Sequence, residues 1–166
     1  MCLITLKTKN IQIAKLPITV YKRCLAYKKN DGWVAESIIQ DGEYKFNQTM
    51  ETVKLQVANY KQGHSKFHDI IAFRSMQSTL SFKSKKIQED IAGALDVYSI
   101  GYHSFKTPYR DQAFGRTLHS DLKSARRILI EFTIPIGSEY ISDLSGLLVS
   151  SDIILTDKRF KAKENE

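Results

Sequence analysis

Apolar and polar positions alternate with period two near both ends of the chain, and three stretches between them carry a helical spacing. Met1–Leu6 reads as a short strand. Ile11 and Ile13, with Lys15 in the same phase, suit an edge strand that bends at Pro17. Ile18–Leu25 (ITVYKRCL) is rich in β-branched and aromatic residues and predicts a strand. Lys29-Asn30-Asp31-Gly32 supplies a hairpin turn, because Asp-Gly tolerates the positive φ that a tight hairpin needs. Trp33–Ile39 then returns, and Asp41-Gly42 turns the chain again before Glu43–Asn47.

Met50–Lys61 places Val53, Val57 and Tyr60 on one helical face, although its β-branched residues are weak helix formers. Gln62-Gly63-His64 breaks it. In His68–Phe82 the runs Ile70–Phe73 and Thr79–Phe82 suit buried strands. Lys83–Tyr98 predicts a second helix, with Ile87, Ile91, Leu95 and Tyr98 on one stripe.

The most ordered stretch follows, from Ile100 to Leu155. A short apolar strand ends in GYHSF at Phe105. Thr107-Pro108 is a good helix start: the threonine hydroxyl can take an orphan N–H, and proline at the first helical position lacks only a donor that would go unused. Phe114, Leu118, Leu122 and Ala125 give that helix its stripe, and Arg126-Arg127 suit its C-terminal end. Ile128–Ile134 alternates as a half-buried strand, Pro135-Ile136-Gly137-Ser138 turns, Glu139–Ile141 is a short strand, and Gly146–Leu155 closes the sheet. The expected fold is one α+β domain over residues 1–157, an antiparallel or mixed sheet with two or three packed helices. A charged tail over 158–166 follows it.

Charge changes this picture. The formal charge is +7, and residues 1–30 hold Lys7, Lys9, Lys15, Lys22, Arg23, Lys28 and Lys29 without one acid. Such an excess attracts anionic partners, nucleic acid among them, or is simply a solvated basic surface. Tyr21, Tyr27, Trp33, Tyr44 and Tyr60 lie among or near these basic residues, where aromatics can stack single-stranded bases or serve as core. No apolar run approaches the roughly 20 residues that span a bilayer, and Met1–Asn10 lacks a signal-peptide pattern. Cys2 and Cys24 form no metal-finger spacing and read as reduced thiols, Cys24 inside. The expected location is the cytoplasm.

Candidate chemistry is sparse. His64 and His68 are four apart and would share a helix face, the weak candidates for a metal, without a third ligand at a telling spacing. His103 sits on a central strand, as a structural histidine bonded to backbone or as a catalytic group. Ser104 beside it points to the opposite face of a regular strand. There is no G-x-S-x-G elbow and no glycine-rich phosphate loop.

Four elements carry a resemblance: Val20-Tyr21-Lys22, the GYHSF strand, IPIGSEY at Ile134–Tyr140, and Val149-Ser150 with Ile153–Leu155. They resemble a group of small proteins of bacteriophages and mobile elements, especially in gut Bacteroidota, over about a third of the chain. Ile136 stands where that group usually has lysine. The same order of strands also looks like the mono-ADP-ribosyltransferase fold. That likeness implies Arg23 and Ser104 as NAD-holding residues, with Arg23 one place past the expected position. The late glutamate of that fold is missing, and Asp152 is the carboxylate nearest its place. The resulting ligand-binding candidates are Arg23, Tyr102, His103 and Ser104, with His103, Ser104 and Asp152 as weak catalytic ones.

The leading expectation is a small basic accessory protein, non-enzymatic, without a cofactor, that binds a macromolecular partner, most of all a protein such as a host factor. The alternatives are an NAD-binding, ADP-ribosyltransferase-like protein, active or degenerate, a nucleic-acid-binding module, and a structural module without a ligand.

Overall fold

The computed structural model describes residues 3–6, 10–30, 32–37, 42–57, 95–108, 126–143 and 146–162. Of these, 60% are strand and 4% helical. The expected α+β architecture with packed helices is therefore corrected to a mainly β one. Leu95 and Tyr98, the end of a predicted helical stripe, lie in a strand, and Gln56–Val57 is strand where the Met50–Lys61 helix was expected. Arg126 and Arg127, expected to end a helix, begin a nine-residue strand. Residues 50–55 of the expected Met50–Lys61 helix are not helical either, and 58–61, 83–94 and 109–125 of the predicted helices lie outside the described residues, as do 68–82.

The larger sheet is built on β3 (Ile18–Lys29) and β9 (Arg126–Ile134), antiparallel from Ile18↔Ile134 to Ala26↔Arg126. β12 (Ile154–Leu155) adds to β9. On the far side of β3 come β8 (Tyr102–Phe105), β11 (Leu147–Ser150), β10 (Glu139–Ser142) and, at the edge, β2 (Gln12–Ile13). β4 (Gly32–Ser37) forms a hairpin with β3, and β5 (Glu43–Tyr44) pairs with β4. Lys29↔Gly32 closes the hairpin, and Asn30 takes the positive φ of 55°. The turn is the expected Lys29–Gly32, with the positive φ on Asn30, a residue that tolerates that conformation. A smaller sheet has the order β1 (Leu3–Leu6), β7 (Leu95–Ile100), β6 (Gln56–Val57).

Period-two alternation sends side chains into two cores. One face of the large sheet carries Val20, Cys24, Ile130, Phe132, Ile134, Leu148 and Leu155, covered by Tyr44, Met50, Val53 and Phe160. Tyr44 meets Phe132 edge-on, 4.9 Å between centroids. The other face gives Phe105, Ile141, Leu147 and Val149, which pack on Leu3 and Tyr98 of the small sheet and on Leu55. β11 is buried on both faces, which is why GLLVSSDIIL reads as a near-continuous apolar run rather than an alternating one.

The chain passes from one sheet to the other at Gly101, between β7 and β8, with φ +132°. A Cβ there would stand 2.4 Å from Val149 Cγ1 and 2.7 Å from Leu55 Cδ2. Only glycine fits both the conformation and the space. Pro135–Ser138 forms the expected turn, with Gly137 at φ +87° and Ser138 N–H donating to Pro135 O. Past Leu155, Asp157 caps a short 3-10 turn at Lys158–Phe160 and pairs with Arg159, whose guanidinium also donates to Leu129 O. Phe160 is buried in the first core.

Candidate functional site

β3 changes partner in mid-strand. β8 holds it at Tyr21↔Phe105 and β4 from Cys24↔Ser37 onward, so Lys22 lies at the change-over. Its side chain is in phase with Val20 and Cys24 and opposite the buried Ile130 of β9. Lys22 Nζ donates to the backbone oxygen of His103, 3.1 Å away. Burial holds the Lys22 ammonium below the ordinary lysine pKa, and the same burial pushes the Cys24 thiol up to about 12. Sequence reasoning chose the neighbouring Arg23 and missed Lys22. The available signal was a lysine in phase with the apolar positions of a strand.

His103 is held by backbone. Nδ1 lies 3.1 Å from Gly101 O and Nε2 3.4 Å from Tyr98 O. A neutral imidazole donates only one N–H. Burial, with nearby positive charge that includes Lys22, pulls its pKa down to about 4, so at neutral pH it ties the Gly101 corner as an uncharged ring.

The four ligand-binding candidates divide between the two faces. His103 pairs with Val149 of one core and Ser104 with Leu148 of the other. Strand alternation puts Arg23 with Tyr21 and Phe105 on the His103 face, and Tyr102 with Ser104 on the opposite face. An NAD cleft on Arg23, Tyr102, His103 and Ser104 would need side chains from both faces to reach one ligand. Ser104 is fully buried, and its Oγ has no hydrogen-bond partner among the described residues.

Asp152 is engaged in holding chain segments together. Thr52 Oγ1 donates to one of its oxygens, and Ser151 Oγ to the other at 2.5 Å. Ser150 Oγ donates to its backbone oxygen. Next to this junction is a cavity of about 280 Å³, lined by Tyr44, Met50, Glu51, Gly101 and Tyr102 among others. The Tyr102 hydroxyl donates to Glu51 O at 2.5 Å. Burial raises the pKa of both tyrosines, so they present neutral hydroxyls. Among the described residues no group of three or more His, Cys, Asp and Glu could hold a metal, and His64 and His68 lie outside them.

Among the described residues, the most exposed aliphatic side chains gather elsewhere, at the β2 edge. Leu16 is 73% exposed, Ile136 63% and Ile13 53%, with Ile11 also exposed. Ala14 joins them: its N–H donates to Ser138 O, and its carbonyl accepts from Gly137 N–H. Ile11 and Ile13 were legible as edge-strand residues. Leu16 and Ile136 were missed, although an isoleucine inside a Pro-x-Gly turn is itself a signal.

No family model, curated protein or solved structure matches the chain. Among the described residues, no helix is long and apolar enough to cross a membrane.

Proposed function

We propose that the chain is a non-enzymatic binding module that takes a protein partner at its β2 edge. The observation behind this reading is the group Ile13, Leu16 and Ile136, left open to water beside an edge strand. Large aliphatics clustered on a surface are the usual mark of an interaction site. An edge strand adds unpaired backbone groups that can accept another strand. Charge selects the partner. The first 30 residues contain no acid, and Lys15 stands between Ile13 and Leu16. A second copy pairing antiparallel about Gln12 would set Lys15 against Lys9, like charge on like. An extended apolar segment flanked by acidic residues meets both requirements.

The test is a comparative pull-down from native host extract, with wild type beside an Ile13→Asp, Leu16→Asp double variant. The expected result is one protein retained by wild type, lost by the variant, and binding again as a purified component. Equal capture by both forms would remove the edge as the interface.

A further inference from the structure

We propose a second ligand site, for single-stranded nucleic acid, in the groove between the β3–β4 hairpin and the 3-10 turn at Lys158–Phe160. The groove encloses about 460 Å³, within the roughly 300–1,000 Å³ of small-ligand sites. Its walls include Trp33, Phe46 and Phe160, with Lys45 and Lys161 on its border and Glu43 as the acid.

Trp33 carries the argument. Its side chain remains 41% exposed, and its cross-strand partner Lys28 holds an ammonium 5.8 Å from the ring centroid. A cross-strand cation–π pair by itself steadies a hairpin. It does not require a groove beside it bordered by two more lysines. Every nucleobase has a π-face to lay on the exposed Trp33 indole, and the backbone of the same strand brings phosphates to Lys28, Lys45 and Lys161. A duplex keeps its base faces stacked inside and cannot use the aromatic wall. An acidic peptide would satisfy the lysines and leave that wall without a function.

Trp33 is the only tryptophan in the chain, so fluorescence excited selectively at tryptophan, past the tyrosine absorption, reads this groove. Wild type is titrated with single-stranded DNA and RNA of mixed sequence, the matching duplexes, and polyglutamate, at about 50 and 200 mM salt. Saturable quenching by single strands, weaker at the higher salt and absent with duplex and polyglutamate, is the expected result. By anisotropy of a labelled strand, Trp33→Ala should weaken binding on the order of ten-fold or more, the effect of removing one stacking partner. Lys45→Glu, at an exposed position, should weaken it and flatten its salt dependence, and it decides the matter if Trp33→Ala does not fold. The Ile13→Asp, Leu16→Asp variant should bind strands as wild type does, which keeps this site distinct from the protein-binding edge. Absence of quenching at low salt, or quenching by polyglutamate equal to that by single strands, would overturn the proposal.

Discussion

The Lys22 ammonium donates a hydrogen bond to the backbone oxygen of His103, across the point where β3 exchanges β8 for β4. A forked sheet leaves backbone groups without a ladder partner, and an orphaned buried carbonyl is costly. Here the Lys22 side chain, at the change-over, supplies a donor to a carbonyl of the neighbouring strand. The charge it brings into an apolar face must then be borne by the rest of the fold.

Substituting Lys22 weighs these two terms. Fully burying an ammonium costs several kcal/mol, of which the part-buried Lys22 bears a share, whereas losing the donor to His103 O costs about 1–3 kcal/mol. Lys22→Met keeps most of the volume and is expected to leave stability within about 1 kcal/mol of wild type or to raise it. Lys22→Ala also opens a cavity and should lose about 2 kcal/mol or more. Urea melts of both rank them, and a methionine variant weaker than the alanine one would contradict this account.

Gly101→Ala should be among the most damaging single changes. The new Cβ would press on Val149 and Leu55 at 2.4 and 2.7 Å, in a backbone conformation that L residues rarely adopt. Strain of roughly 1–3 kcal/mol adds to overpacking of similar size, so a loss near 4 kcal/mol, or failure to fold, is expected. Gly32→Ala, with nothing within 4 Å, is the internal control and should change little.

His103 gives the chain an acid sensitivity. Its folded pKa, about 4, lies below the unfolded value of 6.5, so between them the unfolded chain binds the proton first. Stability is full above about pH 6.5 and falls as pH drops toward 4. One proton taken up by the unfolded chain alone costs about 1.4 kcal/mol for each pH step of one. That slope should be visible in melts across the range. It should vanish in His103→Gln, and an unchanged slope there would assign the titration to another group.

Phe160→Ala tests whether the chain beyond Leu155 belongs to the core. Phe160 is 7% exposed, and its loss should cost about 3 kcal/mol. Arg159→Ala, which removes the pair with Asp157 on a half-exposed side chain, should cost less than about 1 kcal/mol. Equal melting temperatures for wild type and Phe160→Ala would show that this turn adds nothing to the fold.

Much of the sheet was legible from residues alone. The alternation of Ile128, Ile130, Phe132 and Ile134 marked β9, ITVYKRCL marked β3, and Pro-Ile-Gly-Ser marked its turn. Each is a local pattern with one physical meaning. Leu95 and Tyr98 misled because spacings of three and four describe a helix stripe, while Leu95-Asp96-Val97 also alternates, and β1 supplies the pairing that decides between them. The candidate residues could be named but not assembled, since a strand's two faces are known only once its neighbours are. Lys22 went unseen for the same reason: a lysine among apolar positions acquires meaning when β9 puts Ile130 opposite it.

The ladder between β3 and β9 joins residues about a hundred positions apart. Chain-closure entropy must be met before such contacts form, so this fold belongs among the slow folders, on the millisecond-to-second scale. On the ribosome β3 is complete long before β9 exists. The hairpin with β4, closed by a two-residue loop, is the pairing open to it during that interval, and it covers only the Cys24–Lys29 end. The uncovered half, Ile18 to Arg23, waits for its partner with Lys22 in its apolar row. A charge in that row keeps an unpaired strand soluble, so what weighs on the finished protein protects the nascent one.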